Sequence, residues 1–394
     1  PMEMAQGFRM LVDAVKSDQG SASRSAPAAT SQPKPTSAEP VDERLSTGVA
    51  KKVIDIDEFL QTQEMPNPYR GLEAFQETDA KNFFGRQQTV DTLLDRLRED
   101  DPDARFLTVI GPSGIGKSSV VRAGVIPAIK RGALPASDEW FITDLIPSDQ
   151  PLARLESALL TVARSPDETI MQSLRGDADG LHTALNRILR DGEQLLLIID
   201  QFEELFTVAD LKDAEQFMAL VVNAIRTANS RLRVIITLRA DFYDRPLMFA
   251  EFGALVRNRT EVVLPMSTQE LHDAIVRPAE NVGLDLEDGL SDEIIADVSE
   301  QPGALPLLQY ALSEMFSRRQ GNQLTRDSYK KSGGVFGALT RRADELYLPL
   351  DGERKQAVKQ LFLRLVSLGE GTEDTRKRVY RSELLSLGNE ETMR

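Results

Sequence analysis

The chain has 394 residues, and 47 Lys plus Arg stand against 62 Asp plus Glu, a formal net charge of −15. Hydrophobic residues make up 41%, enough for a large core divided over two or three domains, and no apolar run reaches the roughly 18 residues that a membrane span needs. Cysteine is absent and the two histidines, His182 and His272, lie far apart with no HExxH spacing. This excludes disulfides and thiolate chemistry, argues against a His-metal or Ser–His device, and suits a reducing cytoplasm.

Residues 1–16 set Phe8, Leu11, Val12 and Val15 on one helical stripe. The chain starts at Pro1 and stops at Arg394, just past the helix-like RSELLSL. It is therefore read as a piece of a longer protein, with 1–16 a helical remnant of an upstream domain. Residues 17–66 are expected to be a flexible linker. Their first part is rich in Ser, Ala, Thr and Pro and has no aromatic residue; a short amphipathic stretch follows at Ile54–Leu60. From residue 67 the pattern becomes strand, loop, helix. Strands are predicted at Phe106–Ile110, Trp140–Ile146, Leu195–Ile199, Leu232–Leu238 and Glu261–Leu264. Helices are predicted at Lys117–Lys130, with an end or kink at Pro127, at Leu152–Arg164 and at Leu181–Arg190. Uninterrupted aliphatic strands alternating with helices imply an α/β fold whose parallel sheet is covered on both faces. After Pro265 no further strand is expected, only helices.

Residues 111–118, Gly111-Pro112-Ser113-Gly114-Ile115-Gly116-Lys117-Ser118, match G-x-x-x-x-G-K-[ST] between a predicted strand and a predicted helix. Glycines let the backbone wrap a phosphate with its N–H groups inward, and the helix N-terminus adds positive potential. Lys117 would reach the β- and γ-phosphates, Ser118 would bind Mg²⁺, and Ser119 can add a phosphate contact. LLLIID ends in Asp200, a second group for Mg²⁺. Glu203 and Glu204 follow, and one of them would orient and deprotonate the attacking water, with Glu203 slightly preferred. Phe202 reads as core. Arg239, at the end of the fourth strand, is either a sensor of the γ-phosphate or the partner of Asp241 or Asp244. No N-K-x-D motif occurs, which favours adenine over guanine.

GPSGIGKSS, LLLIIDQFEELF and TLRADFYDR together resemble the STAND class of signalling P-loop NTPases, and within it the novel STAND group commonly fused to WD-type β-propeller repeats. Phe83, Phe84, Gly85 and Arg86 match the element that precedes the phosphate loop. Gly303 and Pro306 match the Gly-x-x-Pro-like element. LTRRADELY and LVSLGEGTEDTRKRVYRSELL are similar to the start of a winged helix. The chain departs from the class at Gln87, where Glu is usual, so no role is carried over to that position. The resemblance implies a P-loop domain over 67–265 with strand order 5-1-4-3-2, a helical domain over 266–340 and an incomplete winged helix over 341–394. It places Phe84, Gly85 and Arg86 near adenine and phosphates, Pro306 against the base, and Arg239 as the sensor. It further implies an ATP/ADP switch with Mg²⁺ that hydrolyses slowly. Such a switch controls self-oligomerisation and an attached upstream effector, with sensor repeats downstream, in bacterial signalling or defence.

Residues 318–394 hold 16 Lys plus Arg and 11 Asp plus Glu, so a module of net +5 follows a body of net −20. That module could meet DNA phosphates or act as a basic lid on the acidic domain, and the charge balance favours the lid. A DNA-associated ATPase and a non-hydrolysing nucleotide-dependent scaffold remain the alternative readings.

Overall fold

The computed structural model describes residues 65–99, 101–164, 169–299, 301, 303–319, 321–367 and 375–376. The helix expected at 1–16, nearly all of the 17–66 linker, and the basic run at 377–381 lie outside the described residues.

The five aliphatic runs form strands β1 (Phe106–Gly111), β2 (Phe141–Leu145), β3 (Leu195–Ile199), β4 (Leu232–Arg239) and β5 (Thr260–Val262). They make one parallel sheet in the order β2-β3-β4-β1-β5, which is the expected order read from the opposite edge. Strand side chains alternate between faces, and here each face has its own core. Phe106, Ile110, Leu197, Val234 and Ile236 join one apolar cluster, while Leu107, Val109, Leu196, Ile198 and Ile235 join the other. Residues from both alternations are buried, so these strands read as continuous hydrophobic runs. Burial of each large aliphatic side chain contributes about 1.5–3 kcal/mol.

Helices cover both faces. Helix α1 (Gln87–Arg98) buries Val90, Leu93, Leu94 and Leu97. Helix α2 follows the phosphate loop as Lys117–Ser119, a π-helical turn Val120–Val125, and Ile126–Lys130. Pro127 does not end it. The proline sits in the first turn of the last segment, at the changeover from π to α bonding, where a missing N–H interrupts least. Across the sheet, α3 (Pro151–Val162) and α4 (Leu211–Arg226) pack on the first cluster. Asp210 caps α4 by accepting from Lys212 N.

Beyond β5, α5 (Thr268–Val282) opens with a reciprocal capping box between Ser267 and Glu270 and ends on left-handed Gly283. Helix α6 (Leu305–Ser317) carries a Pro in its first turn. The expectation that strands cease after Pro265 is corrected. Asp285–Leu286 (β6) pairs in parallel with Gln323–Leu324 (β7). Two-residue strands are too short to show a period of two, so no pattern announced them. Residues 67–338 form one compact unit that contains the sheet, α5 and α6. In the separate unit from residue 339 onward, a helix spans Gly352–Leu365 and Val366–Ser367 pairs antiparallel with Thr375–Arg376.

Candidate nucleotide site

β1 is fully buried and stops at Gly111, where the chain must turn away from the sheet. A Cβ at Gly111 would lie 2.9 Å from Ile115 and 3.0 Å from the Val263 carbonyl, so a larger residue does not fit. Gly114 (φ 74°) and Gly116 (φ 97°) adopt left-handed backbone, which turns successive peptides toward a common concave side. Nothing lies within 4 Å of a Cβ built on Gly116, which caps the start of α2. The Lys117 ammonium sits inside this turn and donates to the carbonyls of Gly111 and Pro112, each at 2.9 Å. Burial draws the Lys117 pKa down, and the nearby Glu203 carboxylate pulls it the other way.

The end of β3 faces the loop. Asp200 is only 3% exposed, and its Oδ1 accepts from Ser118 Oγ at 2.7 Å, Thr237 Oγ1 at 2.6 Å and Gln201 N at 3.1 Å. Its Oδ2 lies 3.3 Å from an Arg122 nitrogen. Directly after it, Gln201 takes φ 53°, an uncommon conformation for a non-glycine residue. Glu203 is half-buried, and its Oε2 accepts the backbone N–H of Arg239 at 3.3 Å, at the end of β4. Burial raises the Glu203 pKa; Lys117 and Arg239 lower it, but burial wins. Glu204 is buried at the start of the short helix Glu204–Thr207. Phe202 is fully buried and stacks on Phe252 at 5.2 Å, as expected of core.

Arg239 pairs in register with Gly111 across β1 and β4, which places it at the mouth of the loop. Its guanidinium holds Asp241 through Nε at 3.0 Å and Nη2 at 2.7 Å. Ser119 Oγ accepts from Phe75 N at 3.1 Å, tying α2 to the segment ahead of α1. Within that segment Arg86 is 3% exposed and meets the phosphate loop through backbone, donating to the carbonyls of Ile115 at 2.9 Å and Leu264 at 2.8 Å. Gly85 (φ 79°) touches α5 so closely that a Cβ would fall 2.2 Å from the Glu270 carbonyl oxygen. The Phe84 ring lies under Arg277 at 4.8 Å. Pro306 meets the loop directly: a Cβ on Gly114 would come within 3.3 Å of Pro306 Cγ and 3.2 Å of the Gly303 carbonyl.

Three residues were missed by sequence reasoning. Arg122 lies four residues after Ser118 on α2, a spacing that puts the two on one helix face. Asp144 sits near the end of β2 and pairs with Arg122 at 2.8 Å. Thr237 follows Ile236, the register partner of Ile199, so it stands beside Asp200. That last placement was available from the strand pattern once β3 and β4 are neighbours.

The nucleotide and Mg²⁺ expected for such a loop fit these residues. The left-handed glycines leave room beside the loop: nothing lies within 4 Å of a Cβ built on Gly116. Ser118 and Asp200 present hard oxygen donors at its edge, a partial set that suits a cation completed by phosphate oxygens and water.

A search of curated proteins finds no match to the sequence. Among solved structures, the chain is similar to the ORC2 protein of Aeropyrum pernix in ADPNP–ADP complexes, at 16% identity and TM-score 0.46, over 78% of this chain and 93% of that one. It is also similar to the Aeropyrum pernix ORC1 protein in complex with DNA, at 16% identity and TM-score 0.46, over 77% and 82%. A third is Cdc6p from Pyrobaculum aerophilum, at 14% identity and TM-score 0.41, over 77% and 84%. The family model described as Novel STAND NTPase 1 matches residues 68–394, and with a phosphate loop, an acidic strand end and the β2-β3-β4-β1-β5 sheet in place, the chain belongs to that family of P-loop NTPases.

Proposed function

We propose that this chain is a regulatory ATPase switch, in which bound ATP or ADP with Mg²⁺ sets the conformation, slow hydrolysis resets it, and the nucleotide state controls self-assembly and an attached effector. The observation that carries this reading is the contact of Gly303 and Pro306 with Ser113–Gly114. A nucleotide in the cradle would lie under a turn that belongs to the helical part of the same unit. Its release then requires that turn to move, which links occupancy to conformation.

The residues divide the chemistry. The loop backbone and Lys117 hold phosphate charge, and Ser118 and Asp200 would hold the cation. Mg²⁺, when bound there, would supply positive charge against the phosphates. Glu203, near Lys117 and raised in pKa by burial, is the group that takes a proton from water; Glu204 supports the fold of the short helix. Arg239 at the loop mouth would exchange Asp241 for the γ-phosphate. The expected partners are a second copy of the chain, an upstream effector and downstream sensor repeats.

The test is to purify the chain and ask whether ADP is carried with it, then to compare its mass in solution with ADP and with a non-hydrolysable ATP analogue. Retained ADP, turnover well below one per second and assembly confined to the ATP analogue are expected. Fast turnover with freely exchanging nucleotide and an unchanged mass would reject the switch.

A further inference from the structure

Asp200 is the most deeply buried acid of the site, and one of its two oxygens is fully engaged. Oδ1 takes three donors, from Ser118, Thr237 and Gln201. The other oxygen meets Arg122, whose guanidinium reaches three elements at once. Its Nη2 lies 2.8 Å from Asp144 Oδ2 on β2 and 3.3 Å from Asp200 Oδ2 after β3. Its Nη1 donates to Gln76 Oε1 at 3.0 Å. Gln76 begins the turn Glu77–Asn82, and its N–H is held by Asp79, which in turn faces Arg70 at 3.2 Å. The guanidinium is therefore fixed from both ends, and a single cation is shared between two carboxylates next to Ser118.

We propose that Arg122 is a positioning residue for the divalent-cation side of this site: it clamps Asp200 through Oδ2, leaves Oδ1 to Ser118, and by its shared charge sets how tightly a cation is taken. The inference rests on the reading that nucleotide and Mg²⁺ bind here. The electrostatics have a sign. A guanidinium beside Asp200 repels an incoming divalent cation, and Asp144 draws part of that charge away. Removing Arg122 leaves two carboxylates facing each other with no cation, an arrangement that attracts metal. Neutralising Asp144 does the reverse, because Arg122 then serves Asp200 alone.

The experiment is equilibrium binding of fluorescent ADP to the chain, titrated with Mg²⁺, with thermal denaturation in EDTA as the folding control. Arg122→Gln is expected to lower the half-saturating Mg²⁺ on the order of tenfold, Asp144→Asn to raise it a few-fold, and Arg122→Lys, which keeps the charge but loses the fork that spans Gln76 and both carboxylates, to shift it less than Arg122→Gln does. Opposite shifts for the first two variants cannot come from damage to packing. Shifts in the same direction, or neither variant moving by more than about twofold, overturn the clamp. If the parent chain binds ADP with no dependence on Mg²⁺, the nucleotide–metal reading itself fails, a result distinct from the failure of the clamp.

Discussion

Residues 111–118 and residues 303–306 meet at Gly114 and are built by different physics. The loop is a local object: Gly114 and Gly116 take left-handed backbone, and Lys117 turns back onto the carbonyls of Gly111 and Pro112. The Gly303–Pro306 turn reaches the same point from a segment about 190 residues further along the chain. It leads into α6, where Gln309 accepts from Arg70 N and Ser313 from Asn67. Gly85 seated on α5 and the Tyr69 hydroxyl on the Ile275 carbonyl brace it further. A cradle of this kind survives as long as eight residues keep their conformation. Its cover depends on side-chain contacts between segments about 200 residues apart. Binding strength should follow the first, and the rate of release the second.

The largest effect that separates them is on chemistry. Glu203→Gln should cut turnover by about 10²–10⁴-fold and leave ADP affinity and release unchanged, because in the proposed mechanism the carboxylate serves water and not phosphate. The pH profile sharpens this. Burial raises the Glu203 pKa, and the base acts only when ionised, so turnover should fall as pH drops through a value above the ordinary glutamate range. A raised folded pKa also means that ionisation at neutral pH weakens the fold, so the Gln variant should melt slightly higher than the parent. Turnover that survives Glu203→Gln, measured by phosphate release, would move the base elsewhere.

Lys117→Ala acts first on the cradle. Loss of the half-buried ammonium should weaken ATP and ADP binding by about 100-fold, as expected of one partner of a buried charge pair. Thermal unfolding without nucleotide should barely change, since only two carbonyl contacts are lost. Isothermal titration measures the first and calorimetric unfolding the second.

Gly85→Ala tests what holds the cover. Its backbone is left-handed and the new methyl would strike the Glu270 carbonyl, so the unit should lose about 2–4 kcal/mol. Gly192 is the control: φ is 87° but nothing lies near its Cβ, so Gly192→Ala should cost only about 1 kcal/mol. Equal losses at the two positions, read from denaturant midpoints, would mean that the contact with α5 adds nothing.

The same division explains what could be read in advance. GPSGIGKS, the LLLII run before Asp200 and the aliphatic strands carry their geometry in local spacing, and the sheet order followed from the family resemblance. Asp144 and Thr237 carry no local signature, and Arg122 shows only its spacing from Ser118. The relation of all three to Asp200 exists only once the sheet has brought β1 to β4 together. Helix α4, with Ala214, Phe217, Met218 and Val221 on one face, carries a stripe that is legible in the sequence. The β6–β7 pair had none, because two residues cannot display alternation.

Pro306→Ala should give the smallest effect and the most direct one on the comparison. Pro306 touches the loop through ring carbons near Gly114, and it sits in the first turn of α6, where alanine is tolerated. Stability should change by less than about 1 kcal/mol. Equilibrium affinity should fall only slightly, because the proposed phosphate contacts all belong to the loop. The dissociation rate of fluorescent ADP should rise about three- to tenfold, since the cover is thinned where it rests on the cradle and opening becomes easier. Stopped-flow displacement with excess unlabelled ADP reads that rate. An unchanged rate would mean that Gly303 and Pro306 lie against the loop without gating it. Release would then be set by the cradle itself, and the link between occupancy and conformation would have to run through Arg239 and Asp241 at the other end of the loop.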